Sequence, residues 1–470
     1  MLASTLAMPA HAEDLRTALS TAYRTNPTLQ SARASQRATD ETVAIEKAAG
    51  RPSVSSQAQH TEFVKPSATS FIAPERQFSA NVSLAVPIYS GGAVRNAVKA
   101  AKSRVEAGQA DLRGTESAVF SQVVGAYMDV IANEAVVGLN RKNVEVLSVN
   151  LEATSDRYDI GDLTRTDVAQ SQSRLAIARG DARTAEANFV EARERYIQLV
   201  GQAPGMLEPP PPLPGLPATP EEAVAVALEN NPDIIAARER STAAGYDINV
   251  AGASRMPKLE VFGSGAYQDY LGSLSGGNFP GLNLAQSDKT AQVGVRATIP
   301  IYQGGRPAAQ RRQAQARAGA ALENEIGAER EVIAQVRSAY SSWQAANEII
   351  VSTQTAVDAA TLSLEGVRAG NSVGSRTILD ILDAEQELLN AQVRLVQARR
   401  NSYVAGFSLL AAMGRAEADD LGLDGGPLYD AETNYKRVRG KWFDWDDDRD
   451  PVAQSTRTVD TPPQTGAIQR

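Results

Sequence analysis

This chain of 470 residues contains a long internal repeat, and the repeat sets its architecture. The segment VPIYSGG at 86–92 recurs 213 residues later as IPIYQGG at 299–305. The same offset holds without a gap until it aligns Gly201 with Gly414. Upstream, Asn26-Pro27 matches Asn231-Pro232 at an offset of 205, so the loops that follow differ in length. A repeat of this kind indicates two copies of one structural unit.

The repeat divides the chain into five segments. Residues 1–12 resemble the end of a secretory signal peptide, because they are small and apolar and finish in an Ala-x-Ala cleavage pattern; a frayed N-terminus is the alternative. The first unit is 13–201 and the second is 221–414. Between them, 202–220 is proline-rich and is predicted to form a stiff, extended linker. Residues 415–470 are predicted to form a polar, solvated and partly disordered extension.

Within each unit the pattern predicts a short helix and then a longer one that the Asn-Pro pair opens. Two strands follow, the second ending at the Pro-Ile-Tyr motif, and then a long helix and a returning helix. The second strands alternate apolar and polar residues, which is typical of a membrane barrel wall but also of a strand in a soluble sandwich. After each second strand, small and rigid residues are predicted to let the strand bend into a helix: Pro87, Gly91, Gly92, Pro300, Gly304 and Gly305. A helical pattern then continues over a length of roughly 100 Å. The chain is expected to reverse at Gly161 and Gly374.

Composition excludes several classes of function. The chain has no Cys and two His, so neither a disulfide framework, a lipoprotein anchor, a thiolate metal site nor a catalytic triad is expected. No motif indicates catalysis, a cofactor or a metal ion. A net charge of −8 argues against nucleic acid as a partner. The sequence lacks the run of apolar residues that a membrane-spanning helix needs.

The number of strands predicts an oligomer. Four strands per chain cannot close a barrel, and lipid does not tolerate an open sheet edge. A trimer would supply twelve strands and would gather the long helices of three chains around one axis. The predicted fold is therefore an α+β membrane protein, with a 12-stranded β-barrel continuous with a long α-helical barrel.

From about Glu13 to Gly414, the sequence resembles the TolC family of outer-membrane export channels. The resemblance rests on the duplicated Asn-Pro, the two Pro-Ile-Tyr-x-Gly-Gly motifs, and the segments GDLTRTDV at 161–168 and GSRTILDILDA at 374–384. It implies a homotrimer in the outer membrane of a Gram-negative bacterium, with a helical tunnel through the periplasm. It also implies two partners, a periplasmic adaptor (membrane fusion) protein and an inner-membrane pump of the ABC or RND type.

Two carboxylates near the second turn are candidates for a pore constriction. Asp380 and Asp383 lie three residues apart, on one face of the predicted helix. In a trimer they would form two stacked acidic rings that favour cations, and the matching family positions resemble selectivity rings. The alternative is that an early helical turn favours Asp for its dipole. Asp167 matches Asp380 in the first unit, whereas Gln170 replaces Asp383, so the two hairpins are expected to differ in role.

The resemblance also implies closure by polar links between neighbouring hairpins. Mapped onto this sequence, Thr166 and Asp167 would meet Arg376 through a charge-assisted hydrogen bond. A second family link uses a tyrosine where this chain has Asn371, so that contact is expected to be weakened or replaced. The alternative for Arg376 and Asp167 is an ordinary exposed ion pair, worth under about 1 kcal/mol.

The predicted function is the exit channel of a tripartite system for efflux or type I protein secretion, with drugs or unfolded proteins as cargo. A trimeric coiled-coil surface protein or adhesin is the alternative from another class. An adhesin would normally lack a tandem repeat with strands in each half. The sequence leaves the choice between drug and protein cargo open.

Overall fold

The computed structural model describes residues 13–65, 74–274, 284–423 and 428–468, so the predicted signal peptide at 1–12 lies outside the described residues. The first half contains α1 Leu15–Thr25, α2 Pro27–Ala48, β1 Ser53–Glu62, β2 Arg76–Tyr89, α3 Ala93–Asp159 and α4 Arg165–Val200. The second half repeats this order with α5 Pro220–Asn230, α6 Pro232–Gly252, β3 Lys258–Asp269, β4 Ser287–Thr298, α7 Arg306–Ser372 and α8 Ile378–Ala412. A final helix, α9, covers Ala431–Val438.

The four strands form one antiparallel sheet in the order β1-β2-β3-β4. β2 of the first half pairs with β3 of the second, so the sheet joins the two halves. The expectation that both second strands end at the Pro-Ile-Tyr motif holds for β2, which runs to Tyr89 with a register shift at Pro87. β4 ends at Thr298, two residues ahead of Pro300.

The helices form an elongated, alanine-rich bundle. α3 packs against α2, α4, α6 and α8, and α7 packs against α5, α6 and α8. The main core lies where α1, α3 and α4 meet, around the fully buried side chains of Phe120, Tyr127 and Tyr196. Many further buried positions on α3 and α4 are alanine, which lets the helix axes approach closely.

The duplicated Asn-Pro pairs join helices end to end. The Asn26 side chain accepts a hydrogen bond from the Thr28 N–H at 2.9 Å and caps α2, whose first residue is proline. Its amide also donates to the Leu199 carbonyl near the end of α4, at 2.9 Å. Asn231 makes the equivalent bonds, capping α6 and donating to the carbonyl of Ala412 at 2.9 Å. In each half, one Asn side chain therefore caps the start of one helix and donates a hydrogen bond to a backbone carbonyl at the end of another helix, where such carbonyls otherwise lack a partner.

Parts of the C-terminal segment pack on the bundle, although most of residues 441–460 are exposed. α9 lies along α2, where Asn434 donates to the buried Asp40 carboxylate at 2.7 Å. Further on, the Arg141 guanidinium donates to the Gly466 carbonyl at 2.8 Å. These polar groups are paired with partners hundreds of residues away, so the C-terminal segment has defined contacts with the bundle.

In the part of the chain that the structure describes, every helix is too short or too polar to cross a membrane by itself.

Candidate pore constriction at the hairpin tips

Each long hairpin reverses through a glycine with positive φ. Gly161 lies between α3 and α4 with φ 83°, and Gly374 lies between α7 and α8 with φ 77°. Any other L residue is strained there by about 1–2 kcal/mol. Two large apolar side chains next to these turns are exposed, Ile160 at 81% and Val373 at 78%. The two tips are therefore similar in both backbone and surface.

A capping box starts the returning helix at each tip. The Asp167 carboxylate accepts hydrogen bonds from the Thr164 hydroxyl at 2.7 Å and from the Thr164 N–H at 2.8 Å. Asp380 accepts the same two bonds from Thr377, both at 2.8 Å. Both carboxylates occupy the third helical position, where they cap the helix and offset its dipole.

These hydrogen bonds keep both capping carboxylates ionised. The Thr164 hydroxyl, and then the Thr164 N–H, hold the pKa of Asp167 below its ordinary value. For Asp380 the N–H of Thr377 is the larger cause of a lowered pKa, followed by the hydroxyl. The dipole explanation for Asp at these positions therefore has a direct structural basis. It is compatible with a ring, because a capping carboxylate still carries its full negative charge.

Asp383 lies one turn further along α8 and pairs with a residue that the sequence did not single out. The Arg174 guanidinium on α4 donates to the Asp383 carboxylate at 2.5 Å, with 35% and 58% of the two side chains exposed. This ion pair joins the two hairpins within one chain. Arg174 could not be found from sequence, because the register between α4 and α8 depends on how the hairpins pack. Gln170, the counterpart of Asp383, carries no charge and so cannot form an ion pair.

The predicted gating contacts between the two hairpins do not form within a single chain. In the described residues, the Arg376 guanidinium makes no hydrogen bond with Thr166 or Asp167. Thr166 and Arg376 are both exposed. Asn371, at the position of the family tyrosine, donates to the Arg376 carbonyl at 2.8 Å and so braces its own turn.

Glycine pairs also mark the two strand-to-helix junctions. Gly91 and Gly92 have φ of 66° and 82°, and Gly304 and Gly305 have φ of 59° and 78°. A Cβ on Gly91 would lie 2.6 Å from the Cβ of Met256, so this turn also needs glycine for space. No atom lies within 4 Å of a Cβ built on Gly304. The first junction is thus held tightly against the second half of the chain.

Across the described ranges, no group of three or more His, Asp or Glu is arranged to hold a metal ion.

Comparison with known proteins decides the family. The sequence profile of outer membrane efflux proteins matches residues 18–202 and 223–415, one match in each half of the chain. The chain belongs to the outer membrane efflux protein family. The outer membrane efflux protein BepC of Brucella suis biovar 1 is 35% identical over 431 residues, which are 92% of this chain and 91% of BepC.

More distant relatives agree with this family. The outer membrane protein TolC of Escherichia coli is 29% identical over 312 residues, covering 63% of this chain and 61% of TolC. The solved CmeC outer membrane channel of Campylobacter jejuni has the same fold, with a TM-score of 0.74 over 91% of this chain and 89% of CmeC, at 18% identity. The predictions of a TolC-family efflux channel and of outer-membrane localisation are confirmed, and the adhesin alternative is not supported.

Proposed function

We propose that this efflux protein works as a homotrimer whose twelve strands close one barrel in the outer membrane. The observation that carries the proposal is the sheet order β1-β2-β3-β4, which leaves β1 and β4 with a free edge each in the described chain. Unpaired backbone N–H and C=O groups are costly in lipid, so each edge needs the opposite edge of another chain. Exposed apolar side chains on both edge strands, such as Val54, Val293 and Val295, suit a lipid-facing wall.

The helical part then forms the periplasmic tunnel of a tripartite export system. Its partners are a periplasmic adaptor protein and an inner-membrane pump of the ABC or RND type, and its cargo is drugs or unfolded proteins. The exposed Ile160 and Val373 at the hairpin tips support docking of the adaptor at this end, because apolar side chains at an exposed end favour a protein contact.

We further propose that Asp380 and Asp383 from three chains line the narrow end of this tunnel. Asp380 supplies a ring of three ionised carboxylates, supported by its lowered pKa. The charge of the Asp383 ring is offset by Arg174 in each chain while the ion pair is closed. Cation preference should therefore depend more on Asp380 than on Asp383 in this state.

Closure is proposed to use the Arg376 side chain. Because its guanidinium makes no hydrogen bond elsewhere in the described chain, it is available to Thr166 and Asp167 of a neighbouring hairpin. Opening would also have to separate Arg174 from Asp383. Exposed pairs of this kind are worth about 0–1 kcal/mol, which suits a link that must break in operation.

Single-channel recording in planar bilayers tests the constriction. An Asp380→Asn variant should lose most of the cation preference of the wild-type trimer, Asp383→Asn should lose less, and Arg174→Gln should increase it. Asp162→Asn is the matched control, because Asp162 is a tip carboxylate outside the proposed ring and paired with Arg157 at 2.7 Å. An Asp380→Asn channel with unchanged selectivity would remove Asp380 from the pore. Mass measurement of the detergent-solubilised protein tests the trimer, which requires three times 49.9 kDa.

A further inference from the structure

Residues 434–441 of the C-terminal segment run along α2 towards the β-sheet. Asn434 hydrogen-bonds Asp40, and the Lys47 ammonium donates to the carbonyl of Arg439 at 2.7 Å. The Arg51 guanidinium then donates to the carbonyl of Lys441 at 2.6 Å. Between Asp40 and Arg51, α2 and its C-terminal cap rise by about 16 Å. The segment thus reaches the level at which the helical part of the chain ends, since β1 begins at Ser53.

At that level the segment reverses. The N–H of Asp446 donates to the Phe443 carbonyl at 3.3 Å, which closes a turn. Two residues later, Asp448 is back beside α9, where it accepts a hydrogen bond from Arg437 at 2.7 Å. Residues 441–446, here called the aromatic turn, are therefore the part of the C-terminal segment closest to the sheet.

The aromatic turn exposes three large aromatic side chains. Trp442 is 57% exposed, Phe443 is 80% exposed and Trp445 is 94% exposed. The Arg51 guanidinium stacks over the Trp442 ring at 4.5 Å from its centroid, which fixes this ring beside the helix-to-strand junction. Three such side chains within four residues expose a large apolar surface to water, and an exposed apolar patch of this kind marks a site of contact with a protein or a membrane.

The side of the bundle next to the turn is basic. The turn itself carries Asp444 and Asp446 and is followed by Asp447 and Asp448. Lys441 offsets part of this negative charge, since its ammonium donates to the Asp446 carboxylate at 3.1 Å. Burial is the largest cause of the lowered pKa of Lys47. The positive charges of Lys102, Arg439 and Arg51 lower this pKa further, because these three cationic side chains lie close to Lys47. Cations beside aromatic rings, at the depth where a barrel wall begins, match the chemistry of a membrane interface. Tryptophan prefers the headgroup level of a bilayer, and Lys and Arg reach lipid phosphates.

We propose that the aromatic turn inserts into the inner leaflet of the outer membrane, at the level of the phospholipid headgroups. Trp442, Phe443 and Trp445 would form a belt of anchors outside the barrel, supplied by the C-terminal segment of each chain. The cationic group around Lys47 would lie against the phosphates of the same lipids. This anchoring rests on the outer-membrane placement of the sheet and is independent of the proposed constriction.

The chain has three tryptophans, which permits a direct test. Trp343 lies on α7, packed against Tyr340 with ring centroids 5.9 Å apart, far along the chain from the sheet. In a Trp343→Phe variant, Trp442 and Trp445 are the only fluorescent tryptophans. A Trp442→Phe/Trp445→Phe variant keeps Trp343 alone and is the matched control. Both full-length proteins would be reconstituted into phosphatidylcholine nanodiscs with the lipid brominated near the headgroup, brominated near the chain end, or unbrominated.

Bromine near the headgroup should lower the fluorescence of the Trp343→Phe protein about twofold, and more than bromine near the chain end, because tryptophan belongs at the interface. The control protein should be unaffected. Equal fluorescence in all three lipids, with emission typical of water, would overturn the proposal and leave the turn in the periplasm. Fluorescence that is blue-shifted but equally intense in all three lipids would also overturn the proposal, and would place the turn against a neighbouring protomer. If Trp343→Phe misfolds, the quenching of wild-type protein minus that of the control gives the same answer.

Discussion

Glu116 should make the stability of this protein fall as the pH rises from acid to neutral. This carboxyl lies on α3 beside a cavity of about 670 Å³, which is also lined by residues that follow α8. Burial is the main reason that its pKa is raised from 4.5 to about 7. The N–H of Ala418, which donates to it at 2.6 Å, and Arg33 act in the opposite direction, while Glu417 and Asp419 raise the pKa further.

The sign and size of the effect follow from proton linkage. Between pH 4.5 and about 7 the folded protein holds a proton on Glu116 that the unfolded chain has already released, so stability is full below this interval and is lost through it. At 1.36 kcal/mol for each pH unit, the whole interval corresponds to about 3 kcal/mol, of which about 2.5 kcal/mol falls between pH 5 and pH 8. Glu116→Gln keeps an oxygen for Ala418 but cannot ionise. The variant should therefore gain about 2.5 kcal/mol over wild type as the pH rises across that range.

Urea unfolding followed by circular dichroism, at equal protein concentrations and several pH values, measures this difference. Glu145→Gln is the control, because Glu145 is an exposed carboxylate on the same helix. If Glu116→Gln and wild type differ by a constant free energy from about pH 5 to about pH 8, the burial of Glu116 does not govern its ionisation and the reasoning fails.

Three further substitutions test the fold. Gly91→Ala should destabilise the protein by about 1–3 kcal/mol more than Gly304→Ala, because both have positive φ but only Gly91 lacks room for a Cβ; equal melting temperatures would contradict this. Tyr196→Phe removes a buried hydroxyl that donates to the Glu13 carboxylate at 2.7 Å, and should cost about 1–2 kcal/mol in urea unfolding. Thr164→Ala removes a helix cap worth about 1 kcal/mol, so amide exchange should speed up in the first turn of α4 and remain unchanged in α8.

The sequence predicted those parts of the fold that depend on local pattern. The reversals at Gly161 and Gly374 and the long helices before them follow from helical spacing and from a residue that tolerates positive φ. The start of α2 at Asn26-Pro27 follows from capping chemistry in the same way. Such signals lie within a few residues of the feature that they determine.

What the sequence missed depends on contacts between distant segments. The packing of α9 requires Asn434 to meet Asp40, and an ion pair between Arg174 and Asp383 joins the two hairpins. No local pattern sets either distance, because each depends on the register of two helices that meet only after folding. A polar composition predicted a solvated and partly disordered C-terminal extension, and it could not indicate which polar groups find partners on the bundle.

The two long helices α3 and α7 have the same length, 67 residues each. Since each residue adds 1.5 Å to a helix, the loss of seven residues from each arm of one hairpin would retract its tip by about 10 Å relative to the other. In the proposed trimer, six tips must end in one plane if they are to meet a partner and seal a pore together. Insertions and deletions in this protein should therefore be tolerated only when they occur in both hairpins and in both arms of each, so that the tunnel changes length as a whole.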